Sequence, residues 1–396
     1  MQDNIIQLKK QILFKNANKI NLETGEVVLV DILVEGDTIV KVVPSGEIGE
    51  VVGEVVDLKG NYVMPPFVNV FSDSIKALEH TYGLELKGLR AEHIRENISQ
   101  DHKRVFVDGA DALETYVTSL MVVKNILAGA VYVCDVSLSK HKLIEKAMLL
   151  KCIENIEQYS EQELDQIVEE IGKKIGKVFL KIGQSLDELG SVDKLYKKPI
   201  SQVLEDFGFL DRKPVIVGGN CLEKDELQLL KDYDCKFVVC PSEDGKFGRR
   251  PTNLKTLGNL GFEIGIGSGY SFEIDFFAFI RQILMNMRGM FEDENVLTEQ
   301  DVLTMATRNS AEISFGKILK IEKGEKADFI VVKNELSLYD DIFKILVWEK
   351  TKKDVLMTVR HGEILQKNGE ILMKNGTQCD KIKMLVKKLT MKKSGF

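Results

Sequence analysis

The sequence predicts an α/β protein: a TIM-type (β/α) barrel, with one βα unit missing or hidden, beside a small β-sheet or sandwich domain built from both chain ends. Three observations predict it. Short alternating strands fill the first 60 residues and return after residue 325. Between them, near-continuous apolar runs alternate with helical segments, the mark of parallel strands buried on both faces. Those runs number seven, where a closed barrel of this type has eight.

The N-terminal part carries "QILFKNANKI", "EVVLVDILVEGDTIVKVVP" and "GEVVDLKGNYV", which alternate apolar and polar residues between Gly, Asp and Asn turns. The apolar runs follow. "VMPPFVNVF" comes first; "AVYVCDVS" follows an amphipathic segment ending at Gly129, which sits where a helix C-cap belongs. "AMLLKCIE" leads to "EQELDQIVEEIGKKIG", with Leu164, Ile167, Val168, Ile171 and Ile175 on one helical face. "KVFLKIGQ", "PVIVGGN", "KFVVCPS" and "EIGIGSG" complete the series. "KADFIVVK", "DVLMTVRHGEIL" and "KNGEILM" then resemble the opening strands in kind. The expected division is 1–60 with 325–377 for the composite sheet domain, 61–324 for the barrel, and 378–396 for a helical tail. That tail sets Ile382, Leu385, Val386 and Leu389 against a lysine-rich face. The pattern suits a helix docked on its own protein, or one facing a partner or membrane surface.

With 396 residues, 44% apolar and 29% charged, the composition is ordinary for a globular chain. A net charge of −7 argues against nucleic acid as a partner, since such domains carry a basic surplus. No apolar run is long enough to span a membrane and no leader pattern is visible, so a cytoplasmic location is expected. Six cysteines form no Cys-x-x-Cys pair and read as buried thiols. His80, His93, His102, His141 and His361 make no metal spacing.

"VVDLKGNYVMPPFVNVFSD", "GEKADFIVVK" with "VLMTVRHGEIL", and "CLEKDELQLLKDYDCKFVVCPSEDGKFG" resemble, in order, the entry, closing and sixth-to-seventh-strand segments of the amidohydrolase superfamily. The similarity runs from about Ile12 to Ile371 and is to the branch of cytosine, guanine and adenosine-type deaminases and chlorohydrolases. It implies a zinc or iron ion at the inner strand ends. That ion would turn bound water into hydroxide for attack on a C–N or C–Cl carbon of a small heterocycle.

The positions the resemblance assigns to that chemistry have all changed. Phe71 and Asp73 stand for the first two histidine ligands, Lys181 for the third, and Gly269 for the ligating aspartate. Gln184 replaces the glutamate that shuttles the proton, and Gly218 a substrate-contacting histidine. A phenyl ring has no lone pair, glycine no side chain, and an ammonium repels a cation; an amide does not accept and deliver a proton as a carboxylate does. No metal or other cofactor is therefore expected.

The Lys181 ammonium is expected to fill the vacated metal position, neutralised by Asp73. It could be a plug, the polar floor of a ligand pocket, or a Schiff-base amine. Asp135, Ser137, Asn220, Ser242, Glu243, Asp244, Ser268 and Tyr270 would rim the mouth. "SEDGKFGRRP" adds Lys246, Arg249 and Arg250, as a solvated surface loop or an anion-binding lid. A metal site rebuilt from Asp73, Asp135, His80 or Cys240 finds no support in the spacing. The leading expectation is a catalytically degenerate homologue that binds a small molecule or pairs with a partner subunit, itself included. The alternatives are a hydrolase with a rebuilt site and a plugged structural scaffold.

Overall fold

The computed structural model describes residues 10–74, 76–77, 120–136, 149–173 and 176–372. His80, His93, His102, His141, Ser137, Ile175, Cys379 and the tail 378–396 lie outside them.

Both chain ends enter one sheet. The first part supplies β1 (Gln11–Ile20), β2 (Val27–Glu35), β3 (Thr38–Pro44), β4 (Glu54–Asp57) and β5 (Tyr62–Met64). Seven strands follow: β6 (Phe67–Ser72), β7 (Ala130–Asp135), β8 (Leu149–Glu154), β9 (Lys177–Ile182), β10 (Val215–Gly218), β11 (Lys236–Val239) and β12 (Ile264–Ile266). The closing part gives β13 (Phe329–Val332), β14 (Val355–Arg360), β15 (Glu363–Lys367) and β16 (Glu370–Ile371). The sheet runs β16-β15-β14-β13-β5-β1-β2-β3, with β4 paired to β1. Its two halves meet where Val63 of β5 faces Val331 of β13, antiparallel. Alternation puts Phe14, Ile32, Val63 and Phe329 on one buried face, and the rings of Phe14 and Phe329 meet edge-on at 5.0 Å.

The seven middle strands are those read from the apolar runs, and their pairings are all parallel. Five form a sheet in the order β12-β11-β10-β9-β8, and β6 pairs β7. A single bridge, Ser72 to Gly269, joins β6 to the segment just past β12. The result is an arc from β7 round to β8. Among the described residues β7 and β8 do not pair, so the closed barrel expected from the apolar runs is not seen there. Val70, Phe71, Phe179, Val215, Val217, Val238 and Cys240 fill the inside of the arc as one apolar cluster.

Helices cover the outside. Helix α1 (Glu161–Gly172) starts at a capping box, with Ser160 and Glu163 bonding each other's backbone N–H, and buries Leu164 and Ile171. The expected face is present, with Ile167 and Val168 packed at its margin. Helix α2 (Leu186–Tyr196) follows β9 and α3 (Pro241–Lys246) follows β11. Gly129 takes φ +82° just before β7, the left-handed turn that a helix C-terminus favours. No helix among the described residues is long and apolar enough to cross a membrane.

Candidate functional site

In a parallel α/β arrangement the carboxyl ends of the strands carry the site. Here those ends converge on a buried ion pair. Lys181, at the end of β9, is 2% exposed, and its Nζ donates to Glu243 Oε1 at 2.6 Å. Glu243 is 1% exposed and sits in the first turn of α3. Cys240 and Pro241 set that turn: proline at the first helical position has the helical φ already and no N–H to satisfy. Glu243 Oε1 also accepts from Arg249 Nη1 at 2.6 Å, and Oε2 accepts the Tyr270 backbone N–H at 2.9 Å. Burial pushes the Glu243 carboxyl up, but the Lys181 and Arg249 charges outweigh it and hold it below its ordinary range.

The expected pairing of Lys181 with Asp73 is thus corrected. Asp73 Oδ1 accepts the Lys76 backbone N–H at 2.9 Å, and the Asp73 N–H donates to Gly269 O at 3.1 Å. It serves the turn that follows β6, while Glu243 neutralises the lysine. Tyr270 lies under Lys181, with Nζ 3.1 Å from the ring centroid, a cation–π contact in a desolvated place. Burial, with the Glu243 charge adding to it, lifts the Tyr270 phenol well above its usual value. Its hydroxyl bonds Glu154, which also holds Lys76. Phe71 is 1% exposed, stacks on Phe179 with centroids 6.0 Å apart, and lies 5.4 Å from Lys181 Nζ.

Gly269 explains how the glutamate fits. Its φ is +57°, and a Cβ there would collide with Glu243 Oε2 and stand 3.0 Å from Cys240 Cβ. The space a side chain at 269 would enter is filled by the Glu243 carboxylate. The loop "SEDGKFGRRP" is therefore not merely a solvated segment. It begins as helix α3, and Arg249 turns inward to the ion pair.

The other expected site residues divide. Asp135 is 7% exposed and accepts from Ser74 Oγ at 2.5 Å. Ser268 is fully buried and bonded through both N–H and Oγ to Asn69, so it ties β6 to the segment past β12 rather than lining a pocket. Ser242 Oγ lies 3.2 Å from Ser271 Oγ. Asn220 exchanges bonds with Arg250: Nδ2 donates to Arg250 O at 2.8 Å, and Arg250 Nε donates to Asn220 O at 2.7 Å. Gln184 and Gly218 lie together, and a Cβ on Gly218 would meet Gln184 Cγ at 3.1 Å. Next to Arg249 opens a cavity of about 280 Å³ lined by Gln184, Arg249 and residues that sequence reasoning did not single out: Asn155, Glu157, Ser185, Asp187, Glu188 and Ser191.

Asp244, beside the ion pair and 5% exposed, has a carboxyl lifted to about 6. Burial is the main cause; the Asn220 amide opposes it, the Glu243 charge adds to it, and Arg249 pulls back. A carboxyl whose folded value is raised keeps its proton while the unfolded chain loses it. Its stability cost is absent below about pH 4, grows through pH 6 and reaches about 3 kcal/mol at neutral pH. Asp244→Asn is expected to raise the Tm at pH 7.5 and to leave it unchanged at pH 3.5. Equal Tm values at pH 7.5 would contradict a buried Asp244 whose ionisation costs stability at that pH.

The parallel strand arc, the mixed sheet and the strand-end site together define a barrel-type parallel α/β architecture, the kind that carries its site at the strand carboxyl ends. The amidohydrolase family profile matches residues 158–365, and the chain belongs to that family. It is 22% identical, over 89% of its length and 93% of the relative's, to a 5-methylthioadenosine/S-adenosylhomocysteine deaminase of Thermococcus onnurineus. A deaminase of the same description from Bacillus cytotoxicus is 26% identical over 48% of this chain; that match spans about half, 46%, of the relative. In fold, the chain is similar to an adenosine deaminase from Xanthomonas campestris with bound zinc. The TM-score is 0.75, at 15% identity, covering 96% of this chain and 99% of that one.

The zinc in that structure corrects the expectation of no cofactor: the fold this chain shares is one that carries a metal. The residues at the four ligand positions are a separate matter of donors. Only Asp73 offers a metal-binding group, and Lys181 brings a positive charge to the same place. Among the described residues no three His, Cys, Asp or Glu side chains converge as a metal site would need. Phe71, Asp73, Lys181 and Gly269 do not fit zinc.

Proposed function

We propose that this chain is a small-molecule-binding member of the amidohydrolase family that does not carry out hydrolytic deamination at its strand-end site. The seven-stranded arc is read as a TIM-type barrel short of one βα unit. The observation that carries the functional reading is the Lys181–Glu243 pair, 2.6 Å apart and almost fully buried, at the place where the resemblance sets a metal and its water. Hydrolysis also needs a group that takes a proton from water and passes it to the leaving nitrogen. Gln184 stands at that position and its amide does neither.

A packed Phe71 and Lys181 also suit a plain scaffold. A cavity beside them, reached through Arg249, which lines it and holds Glu243, favours binding. Its lining is polar, with few apolar walls, so recognition rests on hydrogen bonds and charge.

The test is ammonia release from adenosine, 5-methylthioadenosine, S-adenosylhomocysteine and guanine by the purified, zinc-supplemented protein. The expected result is no release above the protein-free control. Saturable turnover of any of the four, lost in Gln184→Ala, would overturn the reading.

A further inference from the structure

A second cavity, of about 430 Å³, opens where the sheet domain meets the helices around the strand arc. The end of β1 and its turn (19–23) make one wall, side chains between 300 and 308 a second, and the chain at 318–322 a third. Pro65 also lines it and lies just ahead of β6, so the cavity is at the amino ends of the strands, away from the Lys181–Glu243 pair. Gln300 Nε2 donates to Glu23 O at 2.7 Å and Arg308 Nη1 to Glu23 Oε1 at 2.9 Å, which fixes the first wall to the second. The second wall includes the π-helical stretch Met305–Asn309, a helix form that recurs at functional sites. A cavity of this volume at the seam between two domains is a preferred place for a small ligand.

Its lining joins an apolar floor to unused donors. Ile20, Leu22, Pro65, Ile318, Leu319 and Ile321 form the floor. Lys19 and Lys320 make no ion pair or hydrogen bond among the described residues, and neither do the Asn21 Nδ2 group and the Thr304 hydroxyl. The main chain supplies an independent sign. From Ile318 to Ile321 it belongs to no helix or strand, and its N–H and C=O groups make no hydrogen bond among the described residues. Ile321 is buried and Ile318 and Leu319 are half-buried, so this is wall rather than an open surface loop, and main chain in such a place calls for partners. Charge selects the partner. Arg308 is committed to Glu23 and Glu322 is the other acid, so Lys19 and Lys320 leave the cavity a positive surplus in a chain of net charge −7. Its 430 Å³ has room for roughly fourteen water-sized groups at about 30 Å³ each.

We propose that this cavity binds a small organic anion with an apolar body, an aryl or alkyl carboxylate. The carboxylate meets the Lys19 and Lys320 ammonium groups and the free N–H groups between 318 and 321, and the body covers Ile20, Leu22, Pro65 and Leu319. The site is separate from the strand-end position and does not depend on whether that position is catalytic.

The test is titration of the full-length protein with 4-phenylbutyrate, followed by calorimetry and by thermal shift. Controls are 4-phenylbutan-1-ol and 4-phenylbutylamine, which keep the body and change the charge, and acetate, which keeps the charge and lacks the body. Saturable binding of 4-phenylbutyrate is expected, weakened by added salt and about tenfold or more tighter than that of any control. The double variant Lys19→Gln with Lys320→Gln removes two side chains that hold nothing in the fold; it is expected to keep the Tm of the free protein and to bind about tenfold more weakly. Lys320→Gln alone, at an exposed position, should give part of that loss, and Lys320→Arg should restore it. No saturable binding of 4-phenylbutyrate at millimolar concentration would overturn the proposal. So would binding of the alcohol or the amine as tight as that of the acid, or unchanged affinity in both glutamine variants. Ammonia release from the four nucleoside and base substrates would sink the non-hydrolytic reading and leave this result standing.

Discussion

Lys181→Met is expected to destabilise the protein by about 3–5 kcal/mol, lowering its Tm by roughly 5 °C or more. The methionine has nearly the volume of the lysine stem, so packing against Phe71 and Tyr270 is largely kept. What is lost is the charge that neutralises Glu243. Glu243 is then buried at 1% exposure with Arg249 as its remaining cation. The cost is that of a stranded buried charge, more than of a broken contact. The double variant Lys181→Met with Glu243→Gln should recover part of it, because removing both charges also removes the desolvation of both. Acid should act in the same direction as the single variant. The Glu243 carboxyl lies below its ordinary range in the fold, so its stabilisation is present above the unfolded value and is lost as pH falls through the folded one. A Lys181→Met protein as stable as the parent in urea would mean that the pair is not where the charges are balanced.

Gly269→Asp is the second large effect. It restores the residue type that the resemblance sets at this position, and it is expected to destabilise strongly, by about 3 kcal/mol or more, without producing deaminase activity. Two causes add. The backbone at 269 is left-handed, which costs a non-glycine residue roughly 1–2 kcal/mol, somewhat less for Asp. The new Cβ also collides with the Glu243 carboxylate. Adding Glu243→Ala to Gly269→Asp should relieve the collision but leave Lys181 near a new carboxylate, so part of the lost Tm should return. If Gly269→Asp alone folds with an unchanged Tm, the Glu243 side chain does not occupy that space.

The strands were legible because each is buried on both faces. "KVFLKIGQ" and "PVIVGGN" leave little room for any other assignment, and the changed residues at 71, 181 and 269 stood out between flanks that follow the amidohydrolase pattern. The partner of Lys181 was not legible in the same way. Asp73 belongs to a neighbouring ligand position, but a strand end does not say which of the charges beyond the other strands will reach it. Glu243 lies in a stretch whose Gly and charged residues read as surface loop. Two signals could have pointed to it: Cys-Pro ahead of an acidic pair, which starts a short helix, and a glycine at 269 that leaves space for another residue's side chain. The same loop brought Arg249 inward, which no periodicity predicts. The acceptors Asn155 and Glu157 follow β8 in a turn where Asn155 takes φ +54°, and only the fold brings them opposite Gln184 and Arg249. The lack of pairing between β7 and β8 among the described residues was not legible either, since the strand count alone does not say which neighbours pair.

A lysine–glutamate pair holds the strand-end position in this chain. The most direct test is a crystal structure of the zinc-supplemented protein, with anomalous data at the zinc edge. The expected map has Lys181 Nζ in hydrogen-bond contact with Glu243 above the Tyr270 ring, with Arg249 on the same carboxylate. A zinc ion between the ends of β6, β9 and β12, with Lys181 turned away and Asp73 among its ligands, would contradict it.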